Sequence, residues 1–487
     1  MRAFLLALVF LPLAGQAETK KTNFLFIAVD DLRPQLNCYG HTQMISPNLD
    51  SLAASGTLFM RTYCQQAVCS PSRTSLMTGL RPDSTKVYDL NTHFRDKVPD
   101  TITLPQHLIA NGYHAEAYGK IYHGGYDDKL SWSVPSMPAH KLGGRGYLEK
   151  QTEARLSALK KEAKEKGLKG KAIYRYARGP ATEAADVPDE KYSDGGTTAA
   201  GIKALQKLSQ GKKPFFLAVG LLKPHLPFTC PKKYWDLYDP SKIKLADNPF
   251  APKNVTPFSM HTFGELRSYS DMPKKGNVPA EDAKRLIHGY YACVSYIDAL
   301  IGKLVKEVER LGLMENTVII VWGDHGWHLG DHNLWCKHSN FENATRVPMI
   351  VRAPGHKPGG RTFALTEFVD IYPTFCELAG VPMPGHLEGT SFVPLLSDPN
   401  RTWKQAAFSQ YPRRGKNGVM GYSLRTKRYH YIEWQSRKDG SIQAAELYDH
   451  DSDADENENI SGNPEQKELV TKLSAIVKAG WKAALPQ

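Results

Sequence analysis

Residues 317–326 read Thr317-Val318-Ile319-Ile320-Val321-Trp322-Gly323-Asp324-His325-Gly326. An unbroken apolar run rich in β-branched residues that ends on glycine and charge has the pattern of a parallel strand buried on both faces. Upstream, Ile287, Tyr291, Val294, Ile297, Ile301, Leu304, Val308 and Leu311 recur every three or four residues, which predicts one long helix from near Glu281. Gly312 and Asn316 stop that helix and turn the chain into the strand. The same alternation recurs elsewhere. Residues 24–29 run into Asp30-Asp31, 114–118 into Gly119-Lys120, and 215–219 into Gly220 and Lys223-Pro224-His225, while 347–351 is a further strand candidate. The predicted fold class is α/β, a large mostly parallel sheet between helices.

The polar residues that leave these strands carry the functional signal. Asp30 and Asp31, Lys120 with His123, Lys223 with His225, and Asp324 with His325 all follow strand ends. That edge is where open α/β sheets bind ligands, so residues hundreds of positions apart are expected to share one cleft. After about residue 394 the pattern changes to short strand-like pieces at 422–426, 429–434 and 446–448, then an amphipathic helix over 466–484. The expected organisation is a catalytic domain over 22–394 and a smaller α+β unit over 395–487. Residues 136–190 read as a long, polar, partly helical insertion.

Of the 487 residues 41% are hydrophobic and 23% charged, which excludes a fibrous or largely disordered chain. Lys and Arg exceed Asp and Glu by 12, a balance that serves either attraction to a polyanion or solubility. Part of it lies in the run 160–166, which reads as a solvated helix. Nothing has the aromatic interleaving or module of a nucleic-acid binder. Residues 1–17 have the build of a signal peptide, with Arg2, an apolar stretch over 4–14 and small residues at Gly15-Gln16-Ala17. No apolar stretch is long enough to span a bilayer. The chain is therefore expected to be exported: periplasmic or secreted if bacterial, lysosomal if animal. The seven cysteines show no CxxC spacing, and an odd number leaves at least one outside any intramolecular bridge.

One cysteine stands apart, in Cys69-Ser70-Pro71-Ser72-Arg73. Pro71 suits the first helical position and Ser70 the N-cap. Cys69 would then sit at a helix N-terminus, where backbone N–H groups favour an anion and lower a thiol pKa. On the residues alone, an inert buried cysteine remains the alternative. Likewise Asp30, Asp31 and Asp324 offer oxygens for a hard cation, Ca2+ or Mg2+, or else lie in solvated turns.

The pentapeptide resembles the type I sulfatase signature, Cys-x-Pro-Ser-Arg. Asp30-Asp31-Leu32-Arg33-Pro34, Gln65-Gln66-Ala67-Val68-Cys69, Lys223-Pro224-His225, Asp324-His325-Gly326-Trp327 and Ser409-Gln410-Tyr411-Pro412 are similar to the iduronate-2-sulfatase-like group of that family. The resemblance runs from near residue 22 to 448 and is poorest in the middle insertion. It implies an alkaline-phosphatase-like sulfatase fold and a formylglycine nucleophile made from Cys69 by a formylglycine-generating maturation enzyme. It implies Ca2+, with Mg2+ second, held by Asp30, Asp31, residue 69, Asp324 and His325, the last standing where many sulfatases place Asn. Arg73, Lys120, His123, Lys223, His225 and Lys337 are expected around the sulfate. Within that set His225, assisted by Lys337, would protonate the leaving alcohol, and His123 would remove a proton to regenerate the aldehyde.

The implied substrate is a sulfated oligosaccharide, with 2-O-sulfated uronic acid in glycosaminoglycan or related fragments as the first expectation. Asn91, His93, Arg95 and Trp327 are candidate sugar contacts, although a tryptophan after a strand also reads as core. Two other readings remain. One is a phosphate monoester or phosphonate hydrolase of the same architecture, and the other is a non-catalytic sulfated-glycan-binding protein.

Overall fold

A computed structural model describes residues 21–144, 146–413 and 418–486; the expected signal peptide, 1–17, lies outside them. In chain order the first eleven strands are β1 (Asn23–Asp30), β2 (Thr57–Tyr63), β3 (His114–Gly119), β4 (Thr182–Ala185), β5 (Phe215–Pro224), β6 (Phe228–Pro231), β7 (Thr317–Gly323), β8 (His328–Leu329), β9 (Trp335–Cys336), β10 (Arg346–Arg352) and β11 (Gly360–Glu367). Seven of them form one sheet, in the order β11-β2-β10-β7-β1-β5-β3. Only β10, the candidate at 347–351, runs against its neighbours. The short strands pair β4 with β6 and β8 with β9.

Alternation along β1 shows why the sheet must be covered twice. Leu25, Ile27 and Val29 join one core cluster with Ile297, Ile301 and Leu304 of the helix Ala280–Arg310. Phe24, Phe26 and Ala28 join the other with Trp322 and Phe375, and the rings of Phe24 and Phe375 stack at 4.6 Å. A central strand buried on both faces has no polar side to show, which is why the run is unbroken. The 31-residue helix Ala280–Arg310 carries Glu281 and Asp282 in its first turn and Arg310 in its last, matching its dipole. Its Asp298 accepts from the Leu49 N–H at 2.7 Å, meeting an orphan donor of the helix Pro47–Ser55.

Four further strands, β12 (Ala406–Arg413), β13 (Val419–Thr426), β14 (Tyr429–Ser436) and β15 (Ile442–Asp449), form an antiparallel meander. The helix Lys467–Ala479 covers it through Leu469, Val470, Leu473, Ile476 and Val477. The helix expected to reach 484 stops at Ala479, where Gly480 takes φ 77° and a short 3-10 turn follows.

Buried charge ties this meander to the large sheet. Glu367, the last residue of β11, accepts from Arg81 at 2.7 Å, Lys404 at 2.8 Å and the Phe408 N–H of β12 at 2.9 Å. Elsewhere Glu342 pairs with Arg425 of β13 at 3.1 Å, and His430 and His450 both converge on Glu456.

Replacing Glu367 by alanine would strip buried Arg81 of its carboxylate and leave Lys404 with Asp370 alone, and is expected to destabilise the protein by roughly 3–5 kcal/mol in denaturant unfolding. Against the upward push of burial, Arg81 and Lys404 pull the Glu367 carboxyl from its ordinary 4.5 down to about 2. A lowered carboxylate pKa contributes stability above 4.5 that is lost as pH falls toward 2. The gap between wild type and Glu367→Ala should therefore narrow through that acid range.

Candidate active site

The site grows from two neighbouring strand ends. β1 and β7 pair in parallel register with Val29 opposite Gly323, so Asp30-Asp31 and Asp324 emerge side by side. Asp31 adopts φ 61°, a left-handed conformation that Asp tolerates better than most residues. Its N–H donates to Asp324 Oδ1 at 2.9 Å, and its carbonyl accepts from Tyr290 of the long helix at 2.9 Å. Asp30, Asp31 and Asp324 are all 0% exposed.

Cys69 opens the helix Cys69–Thr78, with Val68 rather than Ser70 at the N-cap. Pro71 falls in the first turn, where its missing N–H is no loss. The thiol lies 3.4 Å from Asp30 Oδ1, 3.4 Å from His325 Nε2 and 3.5 Å from Lys120 Nζ. The expectation of a lowered thiol pKa is overturned: burial first, then the Asp30 charge, push it well above its ordinary value. At this helix start burial, with the adjacent carboxylates, outweighs the dipole.

Cations arrive from three separate segments. Arg73 is fully buried, with Nε 2.8 Å from Asp324 and Nη2 3.2 Å from Asp30. Its Nη1 donates to the Lys120 and Ile121 carbonyls. All three guanidinium nitrogens thus bind protein, and Arg73 holds carboxylates rather than facing the cleft. Lys120 pairs with Asp30. It is positioned where Gly119, at φ 81°, lets β3 and β5 close in; a Cβ there would fall 2.0 Å from the Gly220 carbonyl. Lys337 pairs with Asp31 at 3.1 Å and with Glu265 at 3.0 Å.

Asp30, Asp31, Cys69 and His325 place one ligand atom each within 4.8 Å of the others. Against burial, Lys120, His225 and Arg73 hold Asp30 well below the usual carboxylate range. Asp31 goes the other way, raised by burial and by Asp30, Glu265 and Asp324 despite Lys337. The His325 Nδ1 lies 3.0 Å from the Gly326 carbonyl and its Nε2 3.3 Å from Asp31. A proton on Nδ1 leaves Nε2 as a lone pair aimed into the cluster, the tautomer a metal ligand needs.

A cavity of about 820 Å3 reaches this cluster, lined by Asp30, Lys120, His123, Lys223 and His225 among others. Burial and the Lys120 charge push His123 down to about 4. Burial and Lys337 push His225 down to about 3. Its Nδ1 lies 2.6 Å from the Leu226 carbonyl and its Nε2 3.3 Å from Glu265. Lys223 donates to the His225 and Pro227 carbonyls at 2.8 and 2.6 Å, bracing that turn.

The candidate sugar contacts fare differently. Arg95 spends its donors on Asp128, Gln106 and the Pro99 and Thr101 carbonyls. His93 accepts from the Arg95 N–H and stacks on Phe94. The Asn91 carbonyl accepts from Tyr126 at 3.0 Å, and Tyr126 stacks against His123. None of Asn91, His93 and Arg95 lines the cavity. Trp327 is 1% exposed, packs edge-on to Phe228 and lies under Lys337, with no face left for a sugar ring. Its core reading holds.

Among protein families, the model described as Sulfatase matches residues 22–381. The chain belongs to the sulfatase family. It is accordingly a sulfuric ester hydrolase. A second match, described as N-sulphoglucosamine sulphohydrolase, C-terminal, covers 330–481. This sulfatase is 33% identical to iduronate 2-sulfatase of Mus musculus, over 94% of each chain. Its fold matches, at 22% identity and TM-score 0.71, a protein solved in complex with its substrate D-glucosamine-2-N,6-O-disulfate, covering 95% of this chain and 98% of the other. It also matches the phosphonate monoester hydrolase of Silicibacter pomeroyi at 21% identity and TM-score 0.75, covering 96% of each.

Sequence reading missed Glu265. It lies on the four-residue helix Gly264–Arg267, where no periodicity marks it. The carboxylate bridges Lys337 and His225. Against burial these two cationic or ionisable neighbours hold it far below its ordinary pKa. Glu265→Ala is expected to lower kcat/KM for an aryl sulfate by about 10–100-fold, as lost supporting partners do. Initial rates, with a melting curve to show the fold intact, check it.

Proposed function

We propose that this sulfatase hydrolyses sulfate esters of carbohydrates, with 2-O-sulfated uronic acid in glycosaminoglycan or related fragments as substrate, after Cys69 is converted to formylglycine by a maturation enzyme. The observation that carries the reading is the position of Cys69, within 3.5 Å of Asp30, His325 and Lys120 beside a deep cavity. The 33% identity to a protein named iduronate 2-sulfatase supports the sugar.

The residues fit a hard divalent cation. Asp30, Asp31, Asp324 and Glu265 outnumber the permanent cations Arg73, Lys120 and Lys337 that pair with them. Oxygen-rich donor sets suit Ca2+, with Mg2+ second. Asp30, Asp31, Asp324, His325 and the residue-69 side chain would hold it. Formylglycine supplies a hydrated aldehyde as nucleophile, and the cation supplies charge neutralisation at the sulfate oxygens.

Lys120 and Lys337 flank the position where negative charge gathers and stabilise it electrostatically. Lys223 keeps the turn carrying His225 against the cavity. His225, held neutral at rest by burial and Lys337, must first take up a proton on Nε2, which Glu265 at 3.3 Å favours, and then delivers it to the departing alcohol. His123, neutral and partly exposed beside Lys120, accepts a proton from the nucleophilic residue. Residues 22–394 would carry this chemistry and 395–487 would form a supporting unit. Export rests on residues 1–17; among the described residues no helix is long and apolar enough to cross a membrane.

The likeness to a phosphonate monoester hydrolase gives the second reading. Sulfate and phosphonate release from matched aryl esters, and sulfate release from a 2-O-sulfated uronate disaccharide, separate the two. Cys69→Ala is expected to reduce turnover to background with the melting temperature unchanged, and mass spectrometry of the peptide carrying residue 69 to show aldehyde in active protein. Full activity in that variant would sink the scheme. Ca2+ at 100 times its Kd should stabilise EDTA-treated protein by about 2.7 kcal/mol, and Asp31→Asn should abolish that response.

A further inference from the structure

The insertion that sequence reading left without a role forms part of the same cavity. Tyr147, Lys160, Tyr174 and Arg178 line it together with Asp30, Lys120 and His123 of the reactive cluster. Arg178 follows the short helix Lys171–Tyr176. Its guanidinium carbon lies 4.2 Å from the Tyr269 ring centre and 4.7 Å from that of Tyr174. The buried Nε finds no hydrogen-bond partner among the described residues. Among the described residues no carboxylate pairs with it. Arg73, Arg81 and Arg95, by contrast, each meet a carboxylate within 2.9 Å.

The backbone around Arg178 is pinned while its charged end is not. The Gly179 carbonyl accepts from Ser270 N–H at 2.9 Å, and the Pro180 carbonyl from Tyr147 at 2.6 Å. The Ala181 N–H donates to Asp271 at 2.8 Å. Asp271, the nearby acid, is further engaged by Arg285 at 2.7 Å. A guanidinium held by tyrosine rings keeps its full charge and its in-plane donors, and it loses little freedom when an anion arrives. In-plane donors match carboxylate and sulfate oxygens, and such bonds are about twice as strong as neutral ones.

We propose that Arg178, held by Tyr174 and Tyr269, binds a second anionic group of the sugar, its carboxylate or a further sulfate, while the ester to be cleaved lies at the Cys69 cluster. This rests on the sulfated-sugar reading above. It makes the insertion the part of the chain that selects substrates by a charge remote from the broken bond. A cavity of about 820 Å3 is far larger than one sulfate requires and lies in the range of sites that enclose whole ligands.

The test measures kcat and KM for wild type, Arg178→Ala and Arg178→Lys on five substrates. These are a 2-O-sulfated uronate disaccharide, its carboxyl-reduced counterpart, a disulfated glucosamine, its monosulfated counterpart and 4-nitrophenyl sulfate. Arg178→Ala is expected to lower kcat/KM by about 10–100-fold, chiefly through KM, on the doubly anionic member of one pair. The loss on the partner lacking the second anion, and on the aryl ester, should be smaller by about ten-fold or more. Arg178→Lys should retain part of the selectivity, since charge remains and the planar fork is lost. The pair that shows the difference tells carboxylate from sulfate. Equal losses on all substrates, or none on any, would overturn the subsite. Wild-type rates on the sugars judge the underlying reading separately: turnover of the aryl ester with none of any sugar would remove both.

Discussion

Three buried carboxylates at two adjacent strand ends are the constraint from which the rest of the site follows. Parallel pairing of β1 and β7 brings Asp30, Asp31 and Asp324 together with none exposed. An unpaired buried charge is strongly destabilising, so every nearby segment must bring compensation. Arg73 brings it from the Cys69 helix, Lys120 from the end of β3, and Lys337 from the turn after β9. Compensation thereby couples residues more than 250 positions apart in sequence. It also fixes where Cys69 lies, because Arg73 is one helical turn further on and is fastened to Asp30 and Asp324.

The same logic explains what could be read from residue order. Runs such as 24–29 and 317–322 were legible because a central parallel strand is apolar on both faces, and their ends announced the polar cluster. The direction of β10 was not, since apolar content says nothing about which way a strand runs. Asp30, Asp31, Lys120, His225 and Asp324 could be placed by their strand ends alone. Glu265 could not, because it lies in irregular chain and meets the site only through tertiary packing. Arg95 shows the converse failure: a guanidinium near a cleft does not disclose its acceptors, and here Asp128 and loop carbonyls take it. The Cys69 thiol was misjudged for a related reason. A helix N-terminus is a local feature, whereas the burial and the carboxylates that outweigh it are set by the rest of the fold.

Floor and wall of the cavity therefore differ in kind. The floor is set by sheet register and by a charge balance that admits few changes. Part of the wall comes from an insertion whose helices Lys150–Glu165 and Lys171–Tyr176 lie outside the large sheet, so it can vary without disturbing the register beneath.

In the proposed reading, charge also sets which esters the floor can balance. Four carboxylates and three permanent cations leave a single negative charge. In the proposed reading a divalent cation reverses it, and a sulfate monoester, itself singly charged, brings the site to balance. A phosphonate monoester carries the same single charge, so in that reading charge at the floor alone does not distinguish the two. A phosphate monoester dianion would leave one buried negative charge uncompensated. Discrimination among singly charged esters must then come from the alcohol side. There the wall offers tyrosine rings and the Arg178 guanidinium, which no carboxylate of the described residues pairs.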